Sequence, residues 1–281
     1  MKKIYLMKNI LLTSTSFQDS PGIHHDKLYS QNFKIDCLRG PLKESELLNI
    51  IGNYDGIICG DDEITKNVIL NGKKGKLRCI SKYGAGLDKI DLKEAKKSGI
   101  KVLNCPGINK TTVSEHVFAL ILTYIKNIIP ENKIVQNYEW KRLIGYDLYN
   151  KNLGILGLGN IGKEVAIRAK CFGMTIRIFD NFPDHKFIDK NKLLLVDGVS
   201  NLIANSDILT LHLPLDNSTI NILNMESLNH IDKSILIVNT SRSGLVDNNF
   251  ILEGIKSKKI SGYLTDVLDD EPIKKNNPFV G

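Results

Sequence analysis

The feature that most constrains this chain is the six-residue run Gly-Leu-Gly-Asn-Ile-Gly at positions 157–162. Three spaced glycines alone are common in loops. Here they follow the apolar segment Leu153–Leu156 and open a helical pattern, Lys163–Phe172, which Gly173 ends. The next apolar stretch, Thr175–Phe179, runs into Asp180, 180 − 162 = 18 residues beyond the last glycine. Strand, glycine turn, helix and a strand-ending acid are the context a dinucleotide cradle needs. Gly157 permits the tight turn, Gly159 lets a pyrophosphate approach the backbone, and Gly162 lets helix and strand pack closely. Asn160 and Ile161 complete the cradle, and the helix start offers N–H groups and a positive dipole end to phosphates. Asp180 would accept the adenosine ribose hydroxyls and repel a 2′-phosphate, so the expected cofactor is NAD, not NADP.

The rest of the chain follows the same alternation. Asn9–Leu12, Gly56–Cys59, Leu77–Ser81 and Lys101–Asn104 are expected as buried strands, with helical spacing over Lys43–Ile51 and Leu92–Ser98. A long helix is expected over Thr112–Lys126, followed by a looser basic–aromatic segment containing Tyr138, Trp140, Lys141 and Arg142. A second series begins near Asn152, with strands at Leu153–Gly157, Thr175–Phe179, Ile208–Leu211, Ser234–Asn239 and Ser261–Thr265. The fold class is α/β with parallel sheets. The expected domains are residues 1–103 and 104–281.

Composition excludes several partners. The net charge is 38 − 31 = +7, but the lysines are dispersed singly or in pairs, without an arginine block or basic–aromatic interleaving. Nucleic acid is therefore not an expected partner. The five cysteines are far apart and never form a C-x-x-C pair, which fits free thiols in a reducing, cytoplasmic setting and argues against a disulfide framework or a metal site. No apolar run approaches the ~18 residues of a membrane span. Lys8 and Asn9 interrupt the basic–apolar start too early for a secretory leader.

Two further segments carry chemistry. Gly84 and Gly86, in Ser81–Asp91, allow adjacent N–H groups to form a concavity for a carboxylate, or simply a turn. Arg242 stands just past a predicted strand among small residues, and a guanidinium fork matches a carboxylate with two parallel bonds. Downstream lies an acidic run, Asp266, Asp269, Asp270 and Glu271, before Pro272.

These blocks stand in one order: SKYGAGLDKID, NCPGINKTTVSEHVFALIL, GILGLGNIGKEVA, LTLHLPL, IVNTSRSGLVD and DVLDDEP. With them the chain resembles the D-2-hydroxyacid dehydrogenase family, nearest its phosphoglycerate-dehydrogenase-like branch, over essentially its whole length. The resemblance implies two Rossmann-like domains with the active site in the cleft between them, the first for substrate and the second for NAD. It implies that Ala85 and Gly86 donate N–H groups to the substrate carboxylate, that Arg242 clamps it, and that Glu271 orients a catalytic histidine. Asp266 would hold the nicotinamide amide, and Thr112, His212, Pro214 and Thr240 would line the dinucleotide. A homodimer through the NAD domain is implied, with Trp140 near its interface. The family's catalytic histidine, in a T-P-H motif, is expected beyond residue 281, together with the helix that returns to the first domain.

The expected reaction is hydride transfer between NAD(H) and C2 of a small anionic 2-hydroxy or 2-oxo carboxylate. The alternative is an NAD-binding sensor or partner-binding module without dehydrogenase activity. Where phosphoglycerate-type enzymes carry arginines, this chain has Cys59, Gly60, Asp61 and Asp62, which are expected to repel a phosphate.

Overall fold

A computed structural model of the chain describes residues 7–269, 273–275 and 277–279. It divides into two compact units, the first ending at Asn109 and the second beginning at Lys110. Among the described residues each unit is built on one wholly parallel sheet.

The first unit contains β1 (Lys8–Leu12), β2 (Phe33–Cys37), β3 (Gly56–Cys59), β4 (Cys79–Lys82) and β5 (Lys101–Leu103), in the order β2-β1-β3-β4-β5. Leu11, Ile57 and Ile80 on the inner strands are sealed from solvent and pack with Leu47, Ile51, Val68 and Ile69. Burying each such side chain contributes about 1.5–3 kcal/mol. Helix starts are set by side-chain caps: Thr65 accepts from Val68 N–H, and Asp91 from Glu94 N–H at 2.8 Å. Gly99, at φ +67°, ends the helix Leu92–Lys97 and turns the chain into β5.

The second unit contains β6 (Asn152–Leu156), β7 (Thr175–Phe179), β8 (Leu194–Leu195), β9 (Ile208–Leu211), β10 (Ile235–Asn239) and β11 (Ile260–Thr265). Their order is β11-β10-β9-β6-β7-β8. Counted within the unit this is 6-5-4-1-2-3, the doubly wound dinucleotide-binding order, which reverses between β6 and β9. Every residue of β9 and β10 is buried, as expected of parallel strands covered on both faces. The helices Lys110–Ile125 and Asn160–Cys171 form one cluster with β6, through Val117, Ile121, Val165 and Ala169. The helices Val199–Ala204 and Asn248–Lys256 supply Leu202, Ile203, Phe250 and Ile251 to another.

The predicted strands are present, with ends moved by one or two residues. Leu77 belongs to the turn before β4, where its N–H bonds Gly72 O at 3.1 Å. Two strands, β2 and β8, have no counterpart in the sequence reading. Both lie on sheet edges, β2 has no buried residue, and β8 has two residues. Edge strands lack the buried face that creates a sequence signal.

Candidate active site

In the second unit the glycine run connects β6 to the helix Asn160–Cys171. Gly157 has φ +99°, and a Cβ there would stand 2.7 Å from His212 O. A Cβ on Gly162 would stand 2.1 Å from Gly157 O, so only glycine lets this helix approach the turn. Gly159 differs: a Cβ there would meet nothing within 4 Å. Gly159 is also the helix N-cap and makes no side-chain cap bond, so the first N–H groups, including those of Asn160 and Ile161, are not capped by a side chain. Open space faces a positive helix end, which is what a pyrophosphate requires.

Asp180, just past β7, accepts Leu158 N–H at 2.6 Å and Phe182 N–H at 2.7 Å, one on each oxygen. Its carboxylate therefore shapes the glycine turn directly. A carboxylate offers about four lone-pair sites, so acceptor capacity remains for ribose hydroxyls.

The ends of β9, β10 and β11 are stitched together by side chains. Ser241 Oγ donates to Leu211 O at 2.7 Å, Thr265 Oγ1 to Asn239 O at 2.8 Å, and Asn239 Nδ2 to Arg242 O at 2.9 Å. This fixes the backbone of Arg242, whose Nη1 donates to Ser241 O at 2.6 Å. Thr240 stands in the same turn, and its Oγ1 is buried without a hydrogen-bond partner among the described residues. His212 follows β9; its Nε2 lies 3.0 Å from Thr210 Oγ1, while its Nδ1 is also buried and has no partner among the described residues. Burial pushes the His212 imidazole down to about 3, so it is neutral at physiological pH. Pro214 is exposed and accepts from Thr219 Oγ1 through its carbonyl at 2.7 Å. Asp266 follows β11, and Thr112 is exposed in the first turn of the helix Lys110–Ile125. Glu271 lies outside the described residues. Two orphaned polar atoms and an open glycine turn, all within one unit, fit a polar dinucleotide. Among the described residues, no group of three or more His, Cys, Asp or Glu could hold a metal ion. No helix among them is long and apolar enough to cross a membrane.

In the first unit the turn after β4 is anchored by its carbonyls: Cys105 N–H bonds Gly84 O at 2.9 Å, and Asn104 Nδ2 bonds Ala85 O at 2.7 Å. The N–H groups of Ala85 and Gly86 make no hydrogen bond among the described residues. Under this turn runs Lys82, whose side chain is only 8% exposed; its Nζ donates to Gly60 O at 2.6 Å and Asp61 Oδ1 at 2.5 Å. Residues 59–62, expected to repel a phosphate together, differ in their exposure. Asp62 is 1% exposed and turned inward, accepting from Thr13 Oγ1 and Leu42 N–H, both at 2.7 Å, and from Gly60 N–H at 2.9 Å. Cys59 is buried, and burial first, then Asp62, push its thiol up to about 12, so it is uncharged. Asp61 alone points out, and Lys82 neutralises it. Lys82 and Asn104 were missed as site residues: a strand-end lysine before a glycine, or an asparagine after a strand, carries no signal until the fold places it.

The known proteins that this chain is similar to agree with the cradle. Residues 118–281 match the model of the NAD-binding domain of D-isomer-specific 2-hydroxyacid dehydrogenases. The chain belongs to that family. It is 34% identical over 277 residues to D-3-phosphoglycerate dehydrogenase of Methanocaldococcus jannaschii, covering 98% of this chain and 51% of that protein. It is 36% identical over 234 residues to hydroxypyruvate reductase of Thermotoga maritima, covering 82% and 74%. Among solved structures it resembles D-lactate dehydrogenase of Aquifex aeolicus complexed with NAD and lactic acid, with TM-score 0.81, 27% identity and coverage of 94% and 78%. The chain thus spans about half the length of the phosphoglycerate dehydrogenases it matches. For a 2-hydroxyacid dehydrogenase domain the doubly wound order, the three glycine roles and the strand-end Arg242 are mutually consistent.

Proposed function

We propose that this protein transfers a hydride between NAD(H) and C2 of a small 2-hydroxy or 2-oxo carboxylate, with the first unit as substrate domain and the second as NAD domain. The observation that carries this reading is Arg242, fixed by backbone bonds at the β10 end in the unit that holds the dinucleotide cradle. When bound, NAD(H) supplies or accepts the hydride. Arg242 clamps the substrate carboxylate with its fork, and Ala85 and Gly86 donate N–H groups to it, so positioning is the main contribution of these residues. Asp266 accepts from the nicotinamide carboxamide, and Thr112, His212, Pro214 and Thr240 line the dinucleotide. Asp180 favours NAD by accepting from the ribose and repelling a 2′-phosphate. A histidine held by Glu271 moves the hydroxyl proton; the neutral imidazole of His212 supports leaving that task to another residue.

The homodimer is part of the same proposal. Ile128, Val135, Tyr138, Trp140, Ile144 and Tyr146 are all exposed within one short stretch of the second unit. Apolar surface concentrated in this way supports association with a second copy of the chain. The five free thiols support a reducing, cytoplasmic setting.

The test is turnover of glyoxylate, pyruvate and hydroxypyruvate with NADH and with NADPH. NADH should be strongly preferred, and Arg242→Lys should lower kcat/KM about a hundredfold, because one ammonium cannot replace a fork. Unchanged kcat/KM in Arg242→Lys overturns the clamp. Tight NADH binding with no turnover of any 2-oxo acid would favour the binding-module reading instead.

A further inference from the structure

The helix Lys110–Ile125 carries Thr112, His116, Leu120 and Tyr124 at four-residue spacing, which places them along one side. Tyr124 hydrogen-bonds through its hydroxyl to Ser261 O at the start of β11. Its ring lies against Gly262, where a Cβ would come within 2.8 Å of Tyr124 Cζ. At the other end of β11, His116 Nε2 stands 3.4 Å from Asp266 Oδ2. The helix therefore runs antiparallel to β11 and touches it at two points. Eight helical steps rise about 12 Å and the five extended steps from 261 to 266 about 16 Å, so the two contacts are geometrically compatible. Gly262 admits the Tyr124 ring, and that contact sets the axial position of His116. The carboxylate offers only acceptor oxygens to that imidazole edge.

Asp266 stands past the end of β11, where Thr265 turns the backbone by bonding Asn239 O and Val267 O. Both side chains are about half exposed, so the pair contributes little to folding stability. Its effect is directional: the imidazole stands on the Oδ2 side of the carboxylate, so that Oδ1 faces away from it. We infer that His116 is a positioning residue for Asp266, holding that carboxylate in the orientation that receives the nicotinamide carboxamide. This inference rests on the role of Asp266 given under Proposed function.

The experiment compares dissociation constants of NADH and of ADP-ribose, which lacks the nicotinamide, for the full chain and its variants. His116→Ala should weaken NADH about threefold and leave ADP-ribose unchanged. His116→Gln, whose amide can place an N–H near the position of Nε2, should restore NADH binding. Asp266→Ala should weaken NADH about tenfold, again without touching ADP-ribose, and adding His116→Ala should bring no further loss. If His116→Ala weakens both ligands equally, or neither, while Asp266→Ala stays selective for NADH, the positioning role is overturned. If Asp266→Ala treats the two ligands alike, the reading of Asp266 itself fails and the inference falls with it.

Discussion

The two units share an architecture but lock their strand-end loops by different physics. In the first unit a buried carboxylate is the hub: Asp62 gathers Thr13, Leu42 and Gly60 from three loops, and Lys82 ties Asp61 and Gly60 to β4. In the second unit backbone contact does the same task, because Gly157 and Gly162 bring the turn and the helix closer than any side chain allows. A polar hub consumes its own donors, while the neighbouring N–H groups of Ala85 and Gly86 make no hydrogen bond among the described residues. A glycine contact consumes none and leaves the helix start of Asn160–Cys171 uncapped by any side chain. The first arrangement should therefore be sensitive to the loss of one charge, the second to the gain of one methyl.

The largest effect should come from Asp62→Ala. Three donors would lose their acceptor inside the unit, at a cost of about 3–5 kcal/mol. Urea unfolding should show it, and a variant as stable as wild type would mean that the hub is dispensable. Gly162→Ala comes next. Its methyl cannot coexist with Gly157 O, so a loss of about 3 kcal/mol and of NADH binding is expected. Gly159→Ala is the control: the melting temperature should hold while NADH affinity falls, since the added methyl enters only open space. Equal melting losses in the two variants would erase the distinction between packing glycine and ligand glycine.

The smallest effect concerns pH. His212 is held at about 3 in the folded chain, against an ordinary value near 6.5 when unfolded. Below about pH 6.5 the unfolded state binds the extra proton, so stability falls as pH drops through that window towards 3. At pH 5 the loss relative to pH 7 should be about 2 kcal/mol from this group. Unfolding of His212→Asn at both pH values measures it, and an unchanged pH slope would show that the imidazole is not sealed.

Much of the second unit was legible because its signals are local. The spacing from Gly157 to Asp180 reports a strand, a turn and a helix within one short segment, and the mostly apolar runs of β9 and β10 report burial on both faces. Arg242 was also legible, as an arginine among small residues past a strand. Legibility failed where a residue's role depends on a partner distant in sequence. Asp61 and Asp62 are identical in type and adjacent, and both read as charges that repel a phosphate. The fold sends one outward to Lys82 and the other inward to the Thr13 hydroxyl, 49 residues away.

The sequence by itself determined the α/β class and the dinucleotide cradle, because periodicity and glycine spacing are properties of contiguous backbone. Tertiary structure decided which charges are buried, which imidazole is neutral and which histidine meets Asp266. Those properties come from desolvation and from distances between segments that only the folded chain brings together.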